Sequence, residues 1–324
     1  MLNLPLQSTH YHYLLKTYQD YLQVLGYAVM TVKTWPVHVR EFLYYLESKN
    51  ITHITMLEAT HIREFIYYLK QRPNRRHKGV VLSSSSINNT INAVNVFIKF
   101  LNSTGNFIVE STKERAETNI SERIILSVAE VKQLYEATFL PQRANPVAMG
   151  QRDRAIIAVF YGCGLRRSEG KNLNLTDIDL QKAMLFVSKG KGNKQRHVPI
   201  AMQHLADIKE YIEEGREWFF YHHADRYNHK ANGKPYERKA GADSAAFFIG
   251  QSGQRMIEFY QRLEQMKQRA GISKAVTLHG LRHSIATHLL SNGMDIEEIA
   301  RFLGHASLAS TQLYTHIINE QHEY

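Results

Sequence analysis

Between Leu14 and Leu101 the apolar residues recur at helical spacing four times, which commits the first third of the chain to helices. Leu14, Tyr18, Tyr21, Leu22 and Leu25 form one face of a first helix, ended by Gly26. Val39, Phe42, Leu43 and Leu46 form a second, with Pro36 expected in its first turn, where a missing N–H is tolerated. Ile62, Phe65, Ile66 and Leu69 form a third. Ile87, Ile91, Val94, Ile98 and Leu101 form a fourth, opened by the serines at 83–86, whose hydroxyls can cap free backbone N–H groups. Four short amphipathic helices around one core make a small bundle over residues 8–105. Arg72, Arg75, Arg76 and Lys78 crowd the loop between the third and fourth helices. Such a loop can neutralise backbone phosphates, or simply be a solvated turn.

After Gly105 the periodicity stops. Residues 106–125 are polar and irregular, the composition of a flexible interdomain linker. A second domain, 126–324, opens with a helix capped at Ser127 and continues with a helix expected over 152–161, rich in Ala, Ile and Val and therefore buried. Its end at Gly162 and Gly164 permits a sharp turn. Leu185–Val187 and Gln195–Ile200 read as two strands of a hairpin with Lys191 and Lys194 in its turn. From about 217 to 244 a basic, aperiodic stretch reads as an inserted loop and a further nucleic-acid contact, before a helix expected from about 254 to 270. The fold class is therefore mainly α with a small β-hairpin or sheet: a helical bundle followed by an α+β domain.

The net charge of +10 favours a polyanionic partner, nucleic acid before membrane surface. A single cysteine, Cys163, excludes an intramolecular disulfide and fits a reducing compartment; glycine neighbours mark it as a packed residue, not a nucleophile. No apolar stretch reaches the roughly 18 residues that span a bilayer, and no signal-peptide pattern opens the chain, so a cytoplasmic protein is expected.

Chemistry concentrates between Thr277 and His316. His279 and Arg282 start a helix, Leu303-Gly304-His305 ends another, and Tyr314 follows nine residues later. A phenol with a pKa of about 10 needs activation to act as a nucleophile. Arginine forks across phosphate oxygens, and histidine moves protons near neutral pH. Tyrosine attacking a phosphodiester, with Arg and His offsetting charge on phosphorus, is a coherent use of this set. A helical core with satisfied histidines and a buried tyrosine is the plain alternative. Arg166 and Glu169 lie three residues apart, on one side of a starting helix, where the carboxylate can orient a neighbouring cation or lie exposed.

The run His279-x-x-Arg282-His283, the Leu303-Gly304-His305 turn and Tyr314 resemble the signature of the tyrosine recombinases, the phage integrase and Xer-like family. Its first half has its match in Gly164-Leu165-Arg166-Arg167-Ser168-Glu169, and its lysine in Gly190-Lys191-Gly192-Asn193-Lys194. The resemblance implies an N-terminal core-binding domain that closes over DNA, with Arg72, Arg75, Arg76, Lys78 and Lys194 as DNA contacts. It implies a catalytic domain with Arg166, Lys191, His279, Arg282, His305 and Tyr314, supported by Glu169. Tyr314 would form a 3′-phosphotyrosyl bond, Lys191 would protonate the leaving 5′-oxygen, and no metal or other cofactor would be needed. Double-stranded DNA, a dimer per site, a homotetramer at the synapse and accessory DNA-bending proteins are the implied partners. A type IB topoisomerase would share the chemistry. A helix-turn-helix regulator built on Ile296–Gly304 would leave Arg166, Lys191 and Tyr314 unexplained. A metal hydrolase on His279 and His283 would lack a glutamate and place Arg282 beside its cation. Gly170 departs from the family, which has an apolar residue there, and only ten residues follow Tyr314.

Overall fold

Four helices follow the four apolar faces: α1 (Thr9–Val24), α2 (Val29–Ser48), α3 (Ala59–Gln71) and α4 (Ser84–Thr104). The computed structural model describes residues 4–74, 79–105, 109–117, 124–140, 145–188, 195–221 and 245–304. The chain divides into two compact units, Met1–Ser121 and Glu122–Tyr324. Among the described residues no helix is long and apolar enough to cross a membrane.

The first unit is packed on aromatic rings. Phe42 and Phe65 lie 5.0 Å apart, and Tyr18 meets Phe97 edge-on at 5.2 Å. The buried phenols keep partners: Tyr18 donates to Ala93 O (3.1 Å) and Tyr11 to Ile51 O (2.8 Å). Ser83 caps α4 as expected, its Oγ accepting from Ser86 N. Pro36 does not sit in the first turn of α2. The helix begins at Val29, so the proline lies inside it and one internal hydrogen bond is forgone.

The stretch expected to be a loose linker is instead bound to α4 where it is described. Asn88, Asn95 and Asn102, seven residues apart, stand on one face of that helix. Each side-chain amide pairs with both backbone groups of one residue: Asn88 with Ala116 (2.9 and 2.8 Å), Asn95 with Thr112 (2.9 and 3.1 Å), Asn102 with Val109 (2.9 and 3.2 Å). Val109 and Ala116 are buried in the same core. A segment outside any sheet thus satisfies backbone polar groups on helix side chains.

In the second unit Ser127 and Glu130 form a capping box at α5 (Val128–Glu136), with Glu130 N donating to Ser127 Oγ at 3.1 Å and Ser127 N to Glu130 Oε2 at 2.7 Å. Next, α6 (Pro146–Ile157) is buried from Ala148 onward and tethers its polar residues. Arg152 donates to Ile249 O (3.0 Å), Asp153 accepts from Arg262, and Arg154 pairs with Glu210 (2.6 Å). A π-turn, Ala158–Gly162, follows, then α7 (Arg167–Asn172). The sheet runs β1 (Ile178–Asp179), β2 (Met184–Val187), β3 (Arg196–Pro199), all antiparallel, with Leu185 opposite Val198. Helices α8 (Met202–Glu210), α9 (Arg216–Tyr221), α10 (Tyr260–Ala270), α11 (Leu278–Ser291) and α12 (Ile296–Leu303) complete the α-helices among the described residues.

Three expected boundaries move. The helix expected over 152–161 begins at Pro146 and passes into the π-turn after Ile157. The stretch read as an insertion from 217 is helical to Tyr221 with Phe219 buried, so its start belongs to the core; residues 222–244 lie outside the described set. The helix expected from 254 starts at Tyr260, because Gly250–Gln254 closes a turn through Gly253 at positive φ and Met256 N bonds Phe248 O.

Replacing Asn95 by alanine strips both partners from the Thr112 backbone. We expect a loss of about 1–2 kcal/mol in the unfolding free energy of this unit. Urea denaturation reads the loss, and faster amide exchange at Thr112 locates it; an unchanged midpoint would contradict the strap.

Candidate active site

The site starts where α6 loosens. In the π-turn, Cys163 N reaches back five residues to Ala158 O (2.8 Å), and Gly164 then adopts φ +59°. A side chain at Gly164 would meet Leu303 Cδ2 at 2.8 Å, so the backbone here passes directly under the end of α12. Burial pushes the Cys163 thiol up to about 12, against the nearby charge of Arg196, which agrees with its reading as a packed residue.

That turn delivers Arg166 to the start of α7, one helical turn before Glu169. Arg166 N donates to Glu169 Oε2 (2.9 Å) and its Nη1 to Oε1 (2.8 Å). Glu169 is therefore no exposed carboxylate: its side chain is 1% accessible. Its second partner is Arg196 on β3, which forks onto both oxygens at 3.0 and 2.9 Å. Burial raises the Glu169 pKa, but the Arg196 bonds and the Arg166 backbone bond outweigh it and hold the carboxyl at about 2.

Arg282, 2% exposed, is the largest fully buried side chain among the described residues. It donates to Gly164 O and to Leu303 O, the latter at 2.7 Å. Arg166 Nη2 reaches Gly304 O (2.8 Å), and Arg196 Nε reaches Phe302 O (3.2 Å). Three consecutive carbonyls at the end of α12 thus each receive a different guanidinium. A helix leaves its last carbonyls without internal partners, and its C-terminus attracts cations. Gly304 closes the helix at φ +65°, and a Cβ there would press on Arg196 Cδ at 2.9 Å.

Gly170 has a steric explanation. A Cβ on it would come within 2.4 Å of Phe160 Cζ, and Phe160 fills the site with Phe248 and Phe259. The volume that an apolar side chain would take at 170 is supplied by the ring.

The structure brings Arg166, Glu169 and Arg282 together. His279 lies three residues before Arg282 on α11, exposed, its ring 4.3 Å from His283 and edge-on to it. Lys191, Lys194, His305, Tyr314, Arg75, Arg76 and Lys78 lie outside the described residues. Arg72 is described and is not an open cation: it forms an ion pair with Glu41, Nη2 to Oε2 at 2.9 Å, tying α2 to the end of α3. Sequence reasoning missed Arg196. Its signal was a basic residue at the root of the hairpin, beginning the strand that follows Lys191.

The Phage integrase family profile matches residues 125–321, and the profile of that family's N-terminal SAM-like domain matches 14–104. The chain belongs to the phage integrase family. Among its relatives in this family, tyrosine recombinase XerC of Oceanobacillus iheyensis is 29% identical over 94% of this chain and 91% of its own. XerD of Pseudomonas putida is 36% identical over 59% of this chain and 57% of that protein. In fold, the XerH site-specific recombinase bound to palindromic difH substrate superposes with a TM-score of 0.66 at 20% identity, over 95% of this chain and 82% of that one. A lambda integrase tetramer bound to a Holliday junction gives 0.61 at 13% identity, over 95% and 78%.

Because the Glu169 pKa is depressed from its ordinary 4.5 to about 2, its ion pairs contribute stability that is complete above 4.5 and lost as pH falls toward 2. Glu169→Gln should therefore be less stable than the parent at neutral pH, and the gap should close on acidification through that window. Thermal melts against pH check this; a gap constant from pH 7 to pH of about 2.5 would contradict the assigned ionisation.

Proposed function

We propose that this protein is a site-specific DNA recombinase that cuts and rejoins strands through a 3′-phosphotyrosyl intermediate. The observation that carries the reading is the convergence of Arg166 and Arg282, distant in sequence, on the adjacent carbonyls of Gly304 and Leu303, immediately before His305. Two arginines fixed side by side on a rigid helix end suit a phosphodiester, whose non-bridging oxygens gain charge as the nucleophile attacks. Family membership supports the same reading.

In the proposed cycle Tyr314 Oη attacks the scissile phosphorus. The O–P bond forms as the bond to the 5′-oxygen breaks, and Lys191 gives that oxygen its proton. His279 assists removal of the phenolic proton, and Arg166, Arg282 and His305 hold the phosphate. A 5′-hydroxyl from a partner duplex then reverses the attack and restores the tyrosine, so the energy of the broken bond is kept in the ester. Glu169 orients Arg166. The first unit serves as the core-binding domain, with Arg75, Arg76 and Lys78 meeting phosphates and Lys194 doing so from the hairpin. Partners are double-stranded DNA and further copies of the chain, two per site and four at a synapse, with accessory DNA-bending proteins where the sites need them. The relatives solved on DNA and as a tetramer motivate this assembly, and we propose the cytoplasm as the setting in which it acts.

Tyr314→Phe keeps the ring and removes the attacking oxygen. It should bind DNA as the parent does and yield no covalent adduct on a nicked suicide substrate in a denaturing gel. Undiminished adduct would move the nucleophile to another tyrosine.

Lys191→Ala should slow cleavage by about two to four powers of ten, the span of general acid catalysis. A substrate with sulfur at the 5′-bridging position should restore it, because a thiolate leaves without a proton. Arg282→Ala should not be restored to the same extent, since the non-bridging oxygens still lack their counter-charge. Equal rescue of both variants would remove Lys191 from the acid's role.

A further inference from the structure

Arg196 is a largely buried guanidinium for which the proposed cycle has no use. Its side chain is 11% exposed, and three of its nitrogens are engaged. Nη1 and Nη2 take the two oxygens of Glu169, and Nε takes Phe302 O. Its Cδ and guanidinium lie against Gly304, in space that only a glycine leaves open.

Two consequences follow from charge and from connectivity. Glu169 is buried and shared by Arg166 and Arg196. With Arg166 alone it would make a neutral pair, and a phosphate nearby would meet a dipole. The second guanidinium returns the group of three to a net charge of one positive unit. In a low-dielectric setting that difference weighs more than it would in water. Arg196 also starts β3, five residues after Lys191. Its bonds reach α7 through Glu169 and the end of α12 through Phe302, so the hairpin root is tied to both sides of the arginine cluster.

We propose that Arg196 is a positioning residue for strand cleavage: it neutralises Glu169 so that Arg166 presents an uncancelled charge to the scissile phosphate, and it pins the root of the Lys191 hairpin to the turn before His305. The proposal rests on the recombinase reading above.

A structural strut and a charge-balancing group behave differently when Glu169 is also changed. Arg196→Gln leaves a buried carboxylate on Arg166 alone. Glu169→Gln/Arg196→Gln removes the charge that needed balancing. Acid should help only the first variant, because with one guanidinium gone burial raises the carboxyl pKa and protonation releases Arg166.

Single-turnover cleavage of a nicked suicide substrate, measured from pH of about 8 to about 5, tests this on the full-length chain, with DNA affinity and melting temperature recorded for each variant. Arg196→Gln should cleave about tenfold to a hundredfold more slowly than the parent at unchanged affinity, the range of coupling within one ion-pair network. The deficit should shrink toward acid pH. Arg196→Lys should recover part of the rate, and the double variant should cleave faster than Arg196→Gln. A rate for Arg196→Gln within about twofold of the parent overturns the proposal, as does a pH-independent deficit that the double variant shares. If Arg196→Gln does not fold, the double variant and Arg196→Lys decide. A folded double variant cleaving as slowly as Arg166→Ala overturns the proposal, and one that is clearly faster supports it. Failure of the recombinase reading is separate, since the parent itself would then form no adduct.

Discussion

The second unit is built on the unfinished end of one helix. Phe302, Leu303 and Gly304 present carbonyls that α12 cannot satisfy, and Arg196, Arg282 and Arg166 each take one. Placing three guanidiniums together is costly unless negative charge is supplied. Here it comes from the partial charge of a helix C-terminus, about half a unit, and from the Glu169 carboxylate. Those offsets are smaller than three positive charges, so the cluster keeps a surplus. A surplus of positive charge held on backbone groups is what a phosphodiester in transit requires.

Much of the surrounding backbone makes this approach feasible. The π-turn and Gly164 drop the chain beneath α12 so that Gly164 O can meet Arg282. Gly170 admits Phe160, which seats α7 and with it Glu169. Leu126 N donates to Ser284 Oγ at 2.9 Å, anchoring the start of the unit to the middle of α11. Each is a close contact at which a larger or less flexible residue would move an arginine.

The four helices of the first unit, α5, α11, α12 and the hairpin were legible in the sequence because their apolar spacing is set by burial alone, whereas α8 was not read and α9 was taken for the start of an insertion. Arg166, Glu169 and Arg282 stand out by a local spacing that carries the family resemblance, and the fold gathers them at the end of α12. Arg196 was not, because its role depends on three contacts distant in sequence. The asparagine strap was written openly, as Asn88, Asn95 and Asn102 at sevenfold spacing on an apolar helix, but a polar stripe does not announce that a backbone will lie on it. The polar stretch from 109 to 117 looked like a free linker for the same reason: its partners are side chains elsewhere. Pro36 misled because the helix was started where its apolar face became evident, whereas the helix begins at Val29, seven residues before the proline. Arg72 showed charge without showing that Glu41 already holds it.

The most direct test of the account is a crystal structure of this protein trapped on DNA through its tyrosine. The account predicts that Arg166, Arg196 and Arg282 keep their bonds to the Gly304, Phe302 and Leu303 carbonyls, while Arg166 and Arg282 also meet the phosphate attached to Tyr314. Guanidiniums that leave those carbonyls to reach the phosphate, or a phosphate held far from the end of α12, would contradict it.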